Sequence, residues 1–236
     1  AGRLAGLPKV ITSRRALGTH QDRHSFWKLL DRVANFLSHH VTANSMAVWD
    51  DTVGRDGIDP LKLVHIANGV GTDVFDGAAL SREPMRKKLG LEENQIGIVT
   101  VGNLIPYKGH RDLLLALPAV FKSAPNALFY LVGQDRGIGT GLARLTEELG
   151  ISGYVRFMGG RQDVAAILAA MDIFVLPSHE EGFSNALLEA MASGLAIVAT
   201  DVGGNREALD QGRLGLLVPA RDPGALAAAI THLLSE

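Results

Sequence analysis

The chain has 236 residues, of which 47% are hydrophobic and 20% charged, so it is long enough for one large domain or two smaller ones. Its net charge of −2 gives no electrostatic footprint for binding nucleic acid. The lack of cysteine excludes disulfides and thiolate metal sites, and no apolar run approaches the roughly 20 residues of a membrane-spanning helix.

The first third of the chain predicts short strands that alternate with helices. Strands are expected at 10–13, 40–43 and 61–66, and helices at 25–37 and 44–53, the second opened by Asn44 or Ser45. Residues 71–83 are polar and contain glycine, which is typical of a linker, and we place the boundary near residues 76–80. The predicted organisation is an N-terminal remnant with its linker at 1–78 and a C-terminal domain at 79–236.

The second part alternates strictly between apolar strands and helices. Strands are predicted at 96–101, 127–132, 155–157, 173–176, 196–200 and 214–218. Helices are predicted at 83–89, 110–122, 141–149, 164–171, 185–192, 205–209 and 223–234. Near-continuous apolar strands in this order indicate an α/β fold, with a parallel sheet covered by helices on both faces.

The most informative stretch is P-S-H-E-E-G-F-S-N-A-L-L-E, residues 177–189. An apolar strand ends at a proline, a polar turn follows, and Ser184 or Asn185 is placed to cap the next helix. Gly182 allows the backbone to approach a ligand, and the first amides of the helix point towards any bound anion. In open parallel sheets this edge, where strands end, is where ligands bind.

Glu189 lies in a helix that is apolar nearly all round, which is the pattern of a buried helix. A buried ionised carboxylate is costly unless hydrogen-bond donors reach it. Ligand hydroxyls could supply these donors, and so could an ion pair or capping contact within the protein. The residues favour the two interpretations about equally.

Other loops carry weaker signals. Lys108 lies in a glycine-bounded loop between a strand and a helix, where a cation and helix amides suit a phosphate, although most such lysines are surface residues. The glycine-rich loop at 133–141 lacks dinucleotide-binding spacing, and an ordinary turn explains it at least as well. Glu207 fits a first-turn helix acid as well as a ligand contact. No metal-binding or nucleophile motif is found.

Taken together, these motifs resemble the retaining GT-B glycosyltransferases of family 4. Glu181 and Glu189 have the spacing of that family's E-x7-E signature, within P-S-H-E-E-G-F-S-N-A-L-L-E-A-M-A-S-G. The family's phosphate-binding loop is resembled by V-G-N-L-I-P-Y-K-G, and the strand end that follows it by L-V-G-Q. The segment beside the nucleotide base is resembled by V-R-F-M-G, and the segment at the interdomain linker by N-G-V-G-T-D-V-F. The resemblance covers residue 68 to the C-terminus, and more weakly the part before it.

The resemblance implies a nucleotide-diphosphate sugar as co-substrate, without a metal or other cofactor. Glu181 and Lys108 would be the catalytic pair, with Lys108 on the diphosphate and Glu181 on the sugar hydroxyls. Glu189 would take the ribose hydroxyls. The remaining donor-binding residues would be Asn103 in the phosphate loop, Phe157 and Met158 beside the base, and Gly182, Phe183, Ser184 and Asn185 near the sugar.

Two departures from the family pattern stand out. Asn103 occupies the place where the family usually has an arginine, and Arg136 and Arg206 are candidates, by loop position, for a substitute cation. The part before the linker is short for the family's first domain, so we expect a donor-binding fragment that is inactive alone.

The implied acceptor is a glycan or a lipid-linked glycan in polysaccharide biosynthesis. The implied location is cytoplasmic, with peripheral association of the parent protein at the cytoplasmic face of a membrane. The alternatives are another GT-B activity, of the sugar-phosphate synthase or phosphorylase kind, and a non-catalytic nucleotide-binding domain. A phosphorylase would need a lysine for pyridoxal phosphate, and no motif suggests one.

Overall fold

The structure is a computed structural model that describes residues 6–17, 25–79 and 81–235. It divides into two compact units, each with its own parallel sheet. The first comprises Ala1–Gly69, Glu180–Ser184 and Gly203–Ala208, and the second comprises Val70–His179, Asn185–Val202 and Leu209–Glu236. The predicted α/β class is confirmed.

The first unit contains a small parallel sheet in the order β1-β2-β3. Its elements are β1 (Ile11–Arg14), α1 (Ser25–Leu37), β2 (His40–Ala43), α2 (Met46–Asp56) and β3 (Leu63–His65). The core is correspondingly small and centres on Val41, Ile58 and Leu63. All five elements were predicted, with shifts at their ends.

Two of those shifts have clear local causes. Helix α2 begins at Met46 because the Ser45 hydroxyl accepts a hydrogen bond from the Val48 amide, so Ser45 is the cap and the predicted start at residue 44 is wrong. The strand predicted at 61–66 begins only at Leu63, because a 3₁₀ turn at Pro60–Lys62 precedes it.

The predicted linker is corrected in part. Residues 73–79 form a helix, α3 (Asp73–Ala79), in a stretch that the sequence analysis assigned no secondary structure. Residue 80, at the end of the predicted boundary region, lies outside the described residues. The division into domains at 78 and 79 stays a prediction.

The second unit holds a six-stranded parallel sheet in the order β6-β5-β4-β7-β8-β9. Its strands are β4 (Ile96–Val101), β5 (Ala127–Val132), β6 (Val155–Gly159), β7 (Ile173–Leu176), β8 (Ala196–Thr200) and β9 (Leu216–Val218). Its helices, besides α3, are α4 (Arg82–Leu89), α5 (His110–Ser123), α6 (Gly139–Glu148), α7 (Val164–Ala170), α8 (Asn185–Ala192) and α10 (Pro223–Ser235). The short α9 (Asn205–Ala208) belongs to the first unit.

Every strand and helix predicted for residues 83–236 is present, with small differences at the ends. Helix α6 begins at Gly139 rather than 141, β6 extends to Gly159, and β9 starts at Leu216 rather than 214. All six residues of β5 and all four of β7 are buried, as expected for central strands with both faces covered.

The strand order reverses between β4 and β7, and we call this place the switch point of the sheet. From β4 the chain adds β5 and β6 on one side, and from β7 it adds β8 and β9 on the other. Such a reversal opens a crevice outside the carboxyl ends of the two central strands. The loops that follow β4 and β7 therefore mark the expected ligand position.

At the opposite edge, four residues form what we call the amino-edge cluster: Arg82, Arg86, Gly97 and Asp172. The Asp172 carboxylate accepts from the Gly97 amide at 2.7 Å and pairs with Arg82 at 2.5 Å and Arg86 at 3.3 Å. The buried Arg86 also donates to the carbonyls of Ala170, at 3.0 Å, and of two residues in the turn before β4. One carboxylate thus connects α4 to the starts of β4 and β7.

Candidate active site

The loop after β4 ends in a tight turn that carries Lys108. A 3₁₀ turn covers Pro106–Lys108, and Gly109 follows in the left-handed conformation with φ of 69°. The half-buried Lys108 extends its Nζ over the Tyr107 ring, 5.8 Å from the ring centroid. Helix α5 begins directly afterwards, at His110. Lysine and helix N-terminus are therefore side by side, as a phosphate site requires.

This turn packs tightly against the segment after β7. A Cβ added to Gly109 would lie 1.9 Å from the Pro177 carbonyl oxygen, so only glycine fits there. The His179 amide donates to the Tyr107 carbonyl at 2.7 Å. The loops on either side of the switch point are thus in direct contact within the second unit.

The His110 side chain contacts the backbone of the loop after β4. Its side chain is buried, and its Nε2 donates to the Asn103 carbonyl at 3.0 Å, which leaves Nδ1 as the unprotonated nitrogen. Burial lowers the pKa of His110 below its ordinary value, with a smaller contribution from nearby Lys108. His110 is therefore neutral at physiological pH. Its contact with the Asn103 carbonyl depends on the fold and was not evident from the sequence.

Glu189 lies on α8, one turn from the helix start at Asn185, and is half-buried. Burial raises the pKa of its carboxyl above the ordinary value. Within the part of the chain that the structure describes, no ion pair or side-chain hydrogen bond reaches this carboxylate. Among the described residues, the structure therefore does not favour the interpretation as an internal ion pair or capping contact.

The segment Glu180–Ser184 belongs to the first unit, where it packs against the start of α9. Glu181 is 9% exposed. A Cβ on Gly203 would lie 1.7 Å from the Glu181 carbonyl oxygen, and the Gly204 amide donates to the Gly182 carbonyl at 3.0 Å. Two glycines thus allow one loop backbone to lie directly on the other.

The same segment is joined to the N-G-V motif. The Asn68 side-chain amide donates to the Phe183 carbonyl at 2.9 Å, and a Cβ on Gly182 would lie 2.1 Å from the Arg15 carbonyl oxygen. The half-buried Phe183 and the buried Ser184 complete the segment, and α8 starts at the next residue, Asn185. Two motifs quoted separately in the sequence therefore meet in the fold.

The Glu207 side chain contacts other residues of the protein. Its carboxylate accepts from the Met46 amide at 2.7 Å and lies 3.2 Å from the His65 Nε2. It therefore satisfies a first-turn amide of α2, beside the Ser45 cap. Of the two interpretations left open for Glu207, the structure favours a structural one.

In the glycine-rich loop after β5, the side chain of an aspartate binds the loop's own backbone amides. The Asp135 carboxylate accepts from the amides of Gly137, Ile138 and Gly139 at 2.8–3.0 Å. These bonds, the Gly139 one foremost, lower the pKa of Asp135. The amides that could have held a phosphate are thus already engaged, in line with the interpretation as a turn.

A cavity of about 550 Å³ opens at the carboxyl ends of β4, β5 and β6. Of the predicted site residues, Asn103 lines it. The others do not, namely Lys108, Phe157, Met158, Glu181, Gly182, Phe183, Ser184, Asn185 and Glu189. The lining residues are Val101, Gly102, Asn103, Val132, Gly133, Gln134, Gly160, Arg161, Gln162 and Val164.

Arg161, which the sequence analysis did not consider, is the arginine in this lining. It shares the cavity with Asn103, whereas Arg136 and Arg206, the substitutes considered from sequence, are absent from its lining. Its guanidinium binds both carboxylate oxygens of Asp163, at 2.8 and 2.6 Å, and this lowers the pKa of Asp163 to about 2. The available signal was its position just after the strand predicted at 155–157.

The part of the chain that the structure describes contains neither a metal-binding cluster nor a membrane-spanning helix. No group of three or more histidine, aspartate or glutamate side chains in this part of the chain could hold a metal ion. In the same part, no helix has both the length and the apolar character needed to cross a bilayer. The expectation of a metal-free site stays a prediction.

The parallel sheet with its switch point and its flanking helices has the α/β fold of the GT-B type, which solved glycosyltransferase structures share. The chain belongs to the family of glycosyl transferases group 1, whose model matches residues 95–236.

Individual proteins agree with this assignment. The chain is 32% identical over 205 residues to the D-inositol 3-phosphate glycosyltransferase of Corynebacterium kroppenstedtii, covering 83% of this chain and 46% of that protein. It is 36% identical over 193 residues to the protein of the same name from Corynebacterium urealyticum, covering 77% and 46%. Among solved structures, HepE from Anabaena in complex with UDP and glucose matches with a TM-score of 0.86 and 24% identity, over 100% of this chain and 64% of that one. The chain spans about half the length of these curated relatives.

Proposed function

We propose that the protein transfers a sugar from a nucleotide-diphosphate donor to an acceptor with retention of configuration, and that this chain binds the donor. Family membership supports the reaction class, and the curated relatives are named glycosyltransferases. The Anabaena neighbour, which was solved with UDP and glucose, supports a nucleotide sugar as the ligand.

The observation that carries the proposal is the environment of Glu189. A half-buried carboxylate with a raised pKa and no protein donor in the described residues needs donors from outside. The two hydroxyls of a nucleotide's ribose are neighbouring donors that a carboxylate can bind together. We therefore assign the ribose contact to Glu189.

Lys108 would bind the diphosphate, assisted by the N-terminal amides of α5. As the bond to the sugar breaks, negative charge grows on the leaving diphosphate, and a preorganised cation beside helix amides lowers the barrier. Glu181 would accept from the sugar hydroxyls, next to the backbone of Gly182, Phe183 and the following two residues. Phe157, which is exposed on β6, and Met158 would lie beside the base.

The acceptor belongs to the proposal as well. We propose a glycan or lipid-linked glycan, with the whole protein working in the cytoplasm or at the cytoplasmic face of a membrane and this chain inactive alone. The name of the curated relatives adds a cyclitol phosphate to the acceptors worth testing. A panel of sugar nucleotides and these acceptors, assayed with the full-length protein, separates transfer from sugar-phosphate synthase or phosphorylase activity.

Calorimetric titration of the chain with UDP and GDP tests donor binding, and so separates the donor site from a fold without one. We expect one of them to bind, equally with and without EDTA, and Lys108→Ala to weaken binding. Lys122→Ala is the matched control, because Lys122 is an exposed lysine in the last turn of α5. Absence of binding by a folded protein, or equal effects of the two substitutions, would refute the donor site.

A further inference from the structure

His179 and Asp112 form a close pair beside the turn Pro106–Lys108, which we call the lysine turn. The His179 Nε2 donates to the Asp112 Oδ2 across 2.6 Å, and the two side chains are only 18% and 17% exposed. His179 lies in the loop after β7, and Asp112 in the first turn of α5. The pair therefore joins the two sides of the switch point and contributes to neither the core nor the sheet.

Its contacts converge on the turn that carries Lys108. The backbone amide of His179 donates to the Tyr107 carbonyl at 2.7 Å, one residue before Lys108. On the other side, the Asp112 amide donates to the Gly109 carbonyl at 3.0 Å, one residue after it. Lys108 therefore lies between two backbone hydrogen bonds, one made by His179 and one by Asp112. The side chains of these two residues bond to each other, and we call the whole arrangement the clasp.

The His179 side of this clasp is anchored to the sheet. The hydroxyl of Thr200, at the end of β8, donates to the Ser178 carbonyl at 2.6 Å and lies 3.3 Å from the Leu176 carbonyl. Since this side is fixed by the strands, the clasp restrains the lysine turn rather than the loop after β7. A residue whose neighbours are held on both sides has less freedom to lose when it binds a ligand.

We propose that His179 and Asp112 are positioning residues that set the location of Lys108 for the donor diphosphate; the inference rests on the proposed function. The turn also has backbone bonds of its own, from the Lys108 amide to the Ile105 carbonyl and from the Gly109 amide to the Pro106 carbonyl, so we expect the fold to survive loss of the clasp. Removing the clasp loosens the turn and weakens the contact made by Lys108. His179 itself touches no donor atom in this scheme.

The test is a double-mutant cycle on the affinity for the nucleoside diphosphate that the chain binds, UDP or GDP. We expect His179→Leu to raise Kd about 10-fold in the wild-type background and by less than about 2-fold in a Lys108→Ala background. His179→Gln should restore most of the affinity, because its amide can donate to Asp112 from nearly the same place. His232→Leu, at an exposed histidine near the end of α10, is the control.

The outcomes separate the two proposals. If Lys108→Ala weakens binding but His179→Leu does not, the inference is overturned and the proposed function stands. An equal loss in both backgrounds, or a loss that His179→Gln leaves in place, also overturns it, because it then reflects general disturbance of the loop. Should His179→Leu fail to fold, Asp112→Ala removes the same bond from the helix side and must give the same pattern. A folded wild-type chain that binds neither diphosphate overturns both.

Discussion

Glu189→Gln should affect stability and donor binding in opposite directions. The raised pKa of Glu189 means that its carboxyl stabilises the free protein fully below the ordinary value of 4.5, and that this contribution is lost as the pH rises through the raised pKa. Above the raised pKa the ionised carboxyl therefore makes the unliganded fold less stable than a neutral side chain would. Glutamine has nearly the same shape and no charge, so it removes this destabilisation.

Binding should suffer from the same substitution. If Glu189 binds ribose hydroxyls, each bond changes from charge-assisted, about 1.5–3 kcal/mol, to neutral, about 0.5–1.5 kcal/mol. The difference of about 1–1.5 kcal/mol per bond corresponds to roughly a 5- to 12-fold increase in Kd. The expected result is a variant that is at least as stable as the wild type at neutral pH and, with two such bonds weakened, binds the nucleotide roughly 30- to 150-fold less tightly.

Two measurements check this prediction: urea unfolding at neutral and acidic pH, and calorimetric titration with the nucleoside diphosphate. The stability advantage of the variant should vanish in acid, where the wild-type carboxyl is protonated. Glu147→Gln, at an exposed glutamate on α6, is the control and should change neither quantity. A less stable variant would reveal a protein partner for Glu189, and unchanged affinity with unchanged stability would refute the ribose contact.

Three further predictions concern the scaffold. Asp172→Ala should cost about 1–3 kcal/mol in urea unfolding, because the Gly97 amide loses its acceptor and the buried Arg86 loses its carboxylate, whereas Glu148→Ala, at an exposed ion pair on α6, should cost less than about 1 kcal/mol. Wild-type stability should fall as the pH drops from about 7.5 to 5.5, because His110 resists protonation in the fold and its unfolded form does not; His110→Phe should lack this part of the loss. Gly109→Ala and Gly90→Ala should both incur about 1–2 kcal/mol of left-handed strain, but only Gly109→Ala should lose about 1–3 kcal/mol more, because its added methyl meets Pro177 while that of Gly90 meets nothing within 4 Å.

Each of these expectations can fail in a distinct way. Equal costs for Asp172→Ala and Glu148→Ala would mean that the amino-edge cluster does not hold the sheet. An unchanged pH dependence in His110→Phe would assign the acid sensitivity to other groups. Equal unfolding free energies for the two alanine variants at Gly90 and Gly109 would remove the evidence for close loop contact at the switch point.

Local patterns predicted the second unit well, because its signals are local and agree with one another. The strands at 96–101, 127–132, 173–176 and 196–200 match the structure to the residue. Each is a short, apolar run bounded by polar or glycine-containing turns, and alternation with helices leaves few alternatives to a parallel sheet. Helix α3 was missed because its sequence, D-V-F-D-G-A-A, has polar residues and a glycine that are more typical of a loop.

The site was only partly predictable, because its contacts join residues far apart in the chain. Glu189 could be singled out, since a carboxylate in an apolar helix is a local anomaly. The pair of His179 and Asp112 spans 67 residues, and Glu207 meets Met46 across 161. Nothing in the neighbouring sequence of these residues identifies their partners, because only the tertiary fold brings them together.

The amino-edge cluster has a consequence for how the sheet can move. β4 and β7 pair through only two residue pairs, Ile98 with Ile173 and Val99 with Phe174, so the seam between the two halves of the sheet is short. Asp172 closes one end of that seam through the Gly97 amide and the arginines of α4. The amino end of the seam is therefore held by side-chain bonds, so we expect any separation of β4 from β7 to begin at the carboxyl end, beneath the loops.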